Sequence, residues 1–167
     1  MNRDELKAVQ TPLKDRYRED PASAVVTLRA EGQLDGEAIA CSVATGRALV
    51  EAGLHPATGG SGALACSGDL LLEALVACAG VTLRSVATSL EIPVSGTVRA
   101  EGDLDFRGTL GVDKEAPVGF RDIRLVFDLE HDATDEQIET LLRLTRRYCV
   151  VLQTLVGGVP VEESLAS

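Results

Sequence analysis

The chain has 167 residues, which fits one domain with a sizeable core. At 45% hydrophobic and 25% charged residues its composition is that of a globular protein and excludes a disordered one. A net charge of -10 repels phosphate backbones and anionic lipid surfaces, and 3% aromatic content leaves few stacking platforms, so nucleic acid is not an expected partner.

The first stretch, MNRDELKAVQTPLKDRYRED, is charged throughout and lacks the apolar segment of a secretory signal, so a cytoplasmic location is expected. Residues 1–23 read as a loose arm ahead of a single domain over 24–167. From Ala24 the pattern changes. Val26, Leu28 and Ala30 alternate with Thr27 and Arg29, an Asp35-Gly36 turn follows, and Ile39, Cys41 and Val43 alternate again, which spells a β-hairpin. GLHPATGGSG is too rich in Gly and Pro for regular structure and forms a loop. Its GGSG lacks the Lys and Ser/Thr of a phosphate loop.

Next comes an apolar helix with Ser67 as N-cap, Asp69 in its first turn where a carboxylate suits the helix dipole, and an end near Leu90 before Pro93. Leu70, Leu71, Leu72, Leu75, Val76, Val81, Leu83 and Val86 leave almost no polar face, so burial on nearly all sides is expected, under sheets or a partner subunit. Its uncharged run from Ala74 to Leu83 is ten residues. A membrane span needs roughly twenty, so no membrane association is expected.

Val98, Ala100, Gly102, Leu104 and Phe106 alternate with charged residues in a strand of antiparallel type, and after a long connection Ile123, Leu125, Phe127 and Leu129 line one face of another. Thr134 with Gln137 forms a capping box that opens a second long helix, with Ile138, Leu141, Leu142 and Leu144 inward. A short helical segment from Cys149 closes at Gly157 and Gly158, and VPVEES reads as an edge strand, since Pro160 cannot donate to a central ladder. The order specifies an α+β fold with antiparallel sheet.

Four cysteines, Cys41, Cys66, Cys78 and Cys149, lack CxxC spacing and suit neither a zinc ribbon nor a secreted disulfide framework. Cys41 shares a strand face with Ile39 and Val43 and reads as a packing residue. Cys66 at a helix start could be a low-pKa thiol or an incidental one. It precedes Cys78 by twelve residues, about 18 Å of helix, too far for a disulfide. Cys78 is either a small core hydrophobe or a reactive thiol. Cys149 opens a helical segment beside Arg146 and Arg147, a setting that favours the thiolate. Neither His55 nor His131 has a second histidine spaced as a metal partner, so both read as loop residues, and no metal or cofactor is expected.

SGDLLLEALVACAG followed far downstream by RYCVVLQTL resembles the OsmC/Ohr family of thiol-dependent peroxidases, from about Ala24 to Val161. The resemblance implies an intertwined homodimer in which antiparallel sheets wrap two central helices, with active sites at the subunit interface. It also implies reduction of organic hydroperoxides, in which Cys78 is the peroxidatic thiol, Cys149 the resolving thiol, and an external dithiol the reductant, with no cofactor. Asp69 matches the acidic residue that orients an activating arginine. The family's position for that arginine falls near Leu34 here, and Arg29 and Arg47 are the nearest candidates. The alternative is a non-catalytic member of the same fold, a small-molecule binder or scaffold whose cysteines pack. An acyl-transfer enzyme using Cys78 with a histidine base is a third class, but neither histidine sits on an element that obviously faces the thiol.

Overall fold

The computed structural model describes residues 3–34, 41–43 and 53–165, of which 3–7, 9, 27–34 and 41–43 are described by their backbone alone. In chain order the elements are α1 (Arg3–Glu19), β1 (Val25–Leu34), β2 (Cys41–Val43), α2 (Ser67–Ser89), β3 (Ser95–Asp105), α3 (Phe106–Thr109), β4 (Phe120–Glu130), α4 (Asp135–Tyr148) and α5 (Val150–Gly157). The strands form an antiparallel sheet in the order β2-β1-β3-β4. The expected hairpin is present as the β1–β2 pair, with Leu34 opposite Cys41; its Asp35-Gly36 turn lies outside the described residues.

The alternation read in β3 sets the inside of the sheet. Val98 and Ala100 are fully buried, while Arg99, Glu101 and Asp103 take the other face. There the Arg124 guanidinium donates to Asp103 at 2.7 Å and reaches Glu101 at 3.4 Å, so β3 and β4 are tied by charge outside and by apolar contact inside. Gly102 belongs to the inner face for want of room. A Cβ there would lie 2.4 Å from the Phe120 ring and 3.4 Å from Leu72 of α2.

α2 crosses this inner face. Leu72, Leu75, Val76, Ala79, Leu83 and Ala87, spaced by three and four, are buried against Val98, Ala100 and Leu141. Each large side chain contributes roughly 1.5–3 kcal/mol of hydrophobic stabilisation. α2 is long and apolar enough by composition to cross a membrane, yet it serves here as the central helix. Within the single chain α2 is not covered on all sides: Leu71 and Val81 stand 36% and 41% exposed, which leaves the expected cover by a partner subunit open. The N-cap is Cys66, one residue before the expected Ser67, and its side chain makes no capping bond.

Two further expectations fail. The N-terminal segment is no loose arm: it forms α1, which seats a fully buried Tyr17 whose hydroxyl donates to the Ala57 carbonyl at 2.6 Å. Gln10 donates to the Thr58 carbonyl at 3.3 Å, so α1 clamps the loop before α2. Residues 159–165 form no strand. The sheet of described residues ends at β4, and Pro160 has no N–H to offer it. The GGSG segment is explained by packing: at Gly60 a Cβ would fall 1.7 Å from the Leu54 carbonyl oxygen, and Gly59 has φ 94°.

Candidate active site

The capping box found in the sequence opens α4, with the Thr134 hydroxyl accepting from the Gln137 N–H and the Gln137 side chain from the Thr134 N–H. Leu141 and Thr145 turn inward, and the helix runs to Tyr148. Cys149 then adopts φ -72°, ψ 104°, outside the helical region, and breaks the helix for one residue. Its N–H still donates to the Thr145 carbonyl at 2.9 Å, and its carbonyl already accepts from the Gln153 N–H at 2.9 Å. One residue therefore closes α4 and opens α5, and its side chain is fully buried.

That kink aims the first amides of α5 at α2. The half-buried Cys78 sulfur accepts from the Val150 and Val151 N–H groups, from the Cys149 thiol, and from the Thr82 hydroxyl one turn along its own helix. Helix N-terminal amides have no partner within their helix and carry the positive end of its dipole, so an anion beside them is stabilised. Burial alone would push the Cys78 thiol up, but these donors outweigh it and hold the thiol below its ordinary value. Burial pushes Cys149 the other way, up to about 11; the Leu152 N–H opposes this and the neighbouring Cys78 reinforces it. The pair thus divides into a lowered thiol on Cys78 and a raised, proton-bearing thiol on Cys149 in hydrogen-bond contact. That division provides a nucleophile with a second thiol in place to condense with it.

The sequence-derived site residues are not all gathered here. Asp69 sits in the first turn of α2, nine residues before Cys78, so about two and a half turns and about 13 Å separate them, on opposite helix faces. Its carboxyl is pushed up by burial and drawn down less by His55. Arg29 takes the register position opposite Glu101, on the sheet face away from α2. Arg47 lies outside the described residues. Arg146 and Arg147 beside Cys149 are exposed, the latter with its guanidinium 5.6 Å from the Tyr148 ring centre. The groups that lower the Cys78 thiol are all neutral.

Two cavities flank α2. A groove of about 460 Å³ runs along α2 from Val81 and Thr82, the turn after Cys78, and is lined also by Ser85, Val86, Leu144 and Tyr148, the residue before Cys149; neither sulfur lines it. The second, about 380 Å³, lies at the N-terminal end of α2 and is lined in part by Cys66, His55 and Phe106. There His55 stacks on Phe106 at 5.0 Å and its Nδ1 accepts from the Ala57 N–H at 3.0 Å. The ring is a loop-forming residue, as the sequence indicated, and His131 is exposed just before α4. Among the described residues no cluster of three or more His, Cys, Asp or Glu side chains could hold a metal ion. The sequence reading missed Thr82 and the groove. The signal for Thr82 was its spacing of four from Cys78, which puts both on one helix face.

Comparison with known proteins bears on this arrangement. No curated protein matches the chain. A solved structure, that of an OsmC-like hydroperoxide resistance protein from Jannaschia sp. CCS1, is similar in fold, with a TM-score of 0.58 at 17% identity, covering 86% of this chain and 95% of that one. The family model described as OsmC-like protein matches residues 60–164, a span that contains both Cys78 and Cys149. The chain belongs to the OsmC-like protein family.

Proposed function

We propose that the protein is a thiol-dependent peroxidase that reduces organic hydroperoxides. The observation that carries this reading is the contact between Cys78 and Cys149, with the first thiol lowered and the second raised. The Cys78 thiolate attacks the terminal oxygen of ROOH; an S–O bond forms, the O–O bond breaks, and the alkoxide takes a proton to leave as ROH. The sulfenic acid on Cys78 then condenses with the Cys149 thiol, losing water and forming a disulfide. An external dithiol reduces that disulfide by exchange. The apolar residues of the adjoining groove, Val81, Val86 and Leu144, favour an organic hydroperoxide over hydrogen peroxide.

The working unit in this proposal is a homodimer. Its support is the exposed apolar surface around the site, where Val81, Val150 and Val156 are 41%, 70% and 61% exposed. Asp69 with Arg29 or Arg47 would then act on a Cys78 across the subunit boundary. Consumption of cumene hydroperoxide by the reduced protein with dithiothreitol as reductant tests the reading. Turnover by the wild type and its loss in Cys78→Ser is the expected result. An unchanged peroxide concentration, or full turnover in Cys78→Ser, would overturn it in favour of a packing role for the cysteines.

A further inference from the structure

The groups that lower the Cys78 thiol are neutral, and one of them, Thr82, also lines the groove. Thr82 follows Cys78 by four residues on α2, and a helical side chain leans toward the N-terminus of its helix, which brings the Thr82 hydroxyl back over the Cys78 turn. The ordinary fate of a hydroxyl so placed is a hydrogen bond to the carbonyl four residues earlier. α2 shows that fate twice, with Thr88 donating to the Arg84 carbonyl at 2.8 Å and Ser89 to the Ser85 carbonyl at 2.9 Å. Thr82 instead gives its hydrogen bond to the Cys78 sulfur. Its other side forms the near end of the groove that runs along α2 toward Leu90.

We propose that Thr82 is a catalytic residue of this chain, its hydroxyl donating to the Cys78 sulfur and linking that sulfur to the groove that Thr82 itself lines, the place for a hydroperoxide's organic tail. This rests on the reading of Cys78 as the attacking thiol. Thr82 keeps its proton throughout: it stabilises the anion before attack, and the O–O bond is broken by the sulfur alone. A hydrogen bond through a methyl-bearing side chain does this without placing a second charge in an apolar groove.

Thr82→Val keeps the shape and removes the donor; Thr82→Ser keeps the donor and removes the methyl group. The readout is the pH profile of Cys78 carboxamidomethylation by iodoacetamide, located by peptide mass spectrometry, alongside cumene hydroperoxide consumption. The expected result is an alkaline shift of the Cys78 profile in Thr82→Val, with alkylation and peroxide consumption at neutral pH both reduced about threefold to tenfold. Thr82→Ser regains the wild-type profile. Thr82→Ala gives the same comparison should the valine variant fold poorly. A Cys78 profile in Thr82→Val and Thr82→Ala identical to that of the wild type overturns the proposal while leaving the peroxidase reading intact. A shifted profile in a protein that consumes no peroxide supports the hydroxyl's hold on the thiolate and overturns the peroxidase reading instead.

Discussion

Cys78 and Cys149 differ chemically because their backbones differ. Cys78 lies mid-helix with its own amide already bonded, so its sulfur is free to collect donors from α5, whereas Cys149 is the kink that supplies α5 and is buried by it. A pH consequence follows. A thiol lowered by hydrogen bonds to its anion reacts at a lower pH than an ordinary thiol, and one raised to about 11 stays protonated well past neutrality. Alkylation followed by peptide mapping should therefore label Cys78 first as pH rises and leave Cys149 unlabelled until strongly alkaline pH; labelling of Cys149 before Cys78 would reverse the assigned roles. Both cysteines were legible from sequence, through one in an apolar helix and another at a helix start. The thiolate expected on Cys149 beside Arg146 and Arg147 is overturned: both arginines are exposed and burial pushes that thiol up to about 11. The contact of the two cysteines was not legible, since 71 residues separate them and only the packing of α2 with α4 and α5 brings them together.

The elements that carry strong local signals matched their reading. The capping box fixed the start of α4, and the period-2 patterns of β3 and β4 fixed which face meets α2. α1 was hidden because its helical surface is mostly charged and interrupted by Pro12, and its buried anchor among the described side chains, Tyr17, acquires meaning only against the Ala57 loop. At the centre, Leu75 is 1% exposed, and Leu75→Ala should lower unfolding stability by about 3 kcal/mol in urea titration. At the end of β3, hydrogen bonds from Arg107, at 2.6 Å and 3.0 Å, hold the buried Asp105 carboxyl below its usual range despite the cost of burial. A depressed carboxyl stabilises the fold at neutral pH, and that contribution fades as pH falls through the folded-state value. Asp105→Asn should therefore lower the urea midpoint at neutral pH, with the gap from wild type narrowing in acid; a gap that widened in acid would contradict this.

For the whole molecule, a charge of -10 and an apolar surface beside the thiols have to coexist. Covering Val81 and Val150 with a second copy resolves that tension and shelters the half-buried sulfur from water, in keeping with the homodimer proposed above. Light scattering should give twice the 17.6 kDa chain mass, and Val150→Asp should shift it toward one chain; a monomer of wild type at micromolar concentration would rule the dimer out. Composition made a globular α+β chain legible. It could not show which face of α2 stays uncovered by its own sheet, because an all-apolar helix carries no polar stripe to mark it.

The central claim, that Cys78 is oxidised and Cys149 resolves it, is tested most directly by mass spectrometry of the reduced protein after one equivalent of cumene hydroperoxide. The account predicts loss of the mass of two hydrogen atoms and a disulfide-linked peptide pair containing Cys78 and Cys149. Unchanged thiols, or a disulfide that pairs Cys66 with either of them, would contradict it.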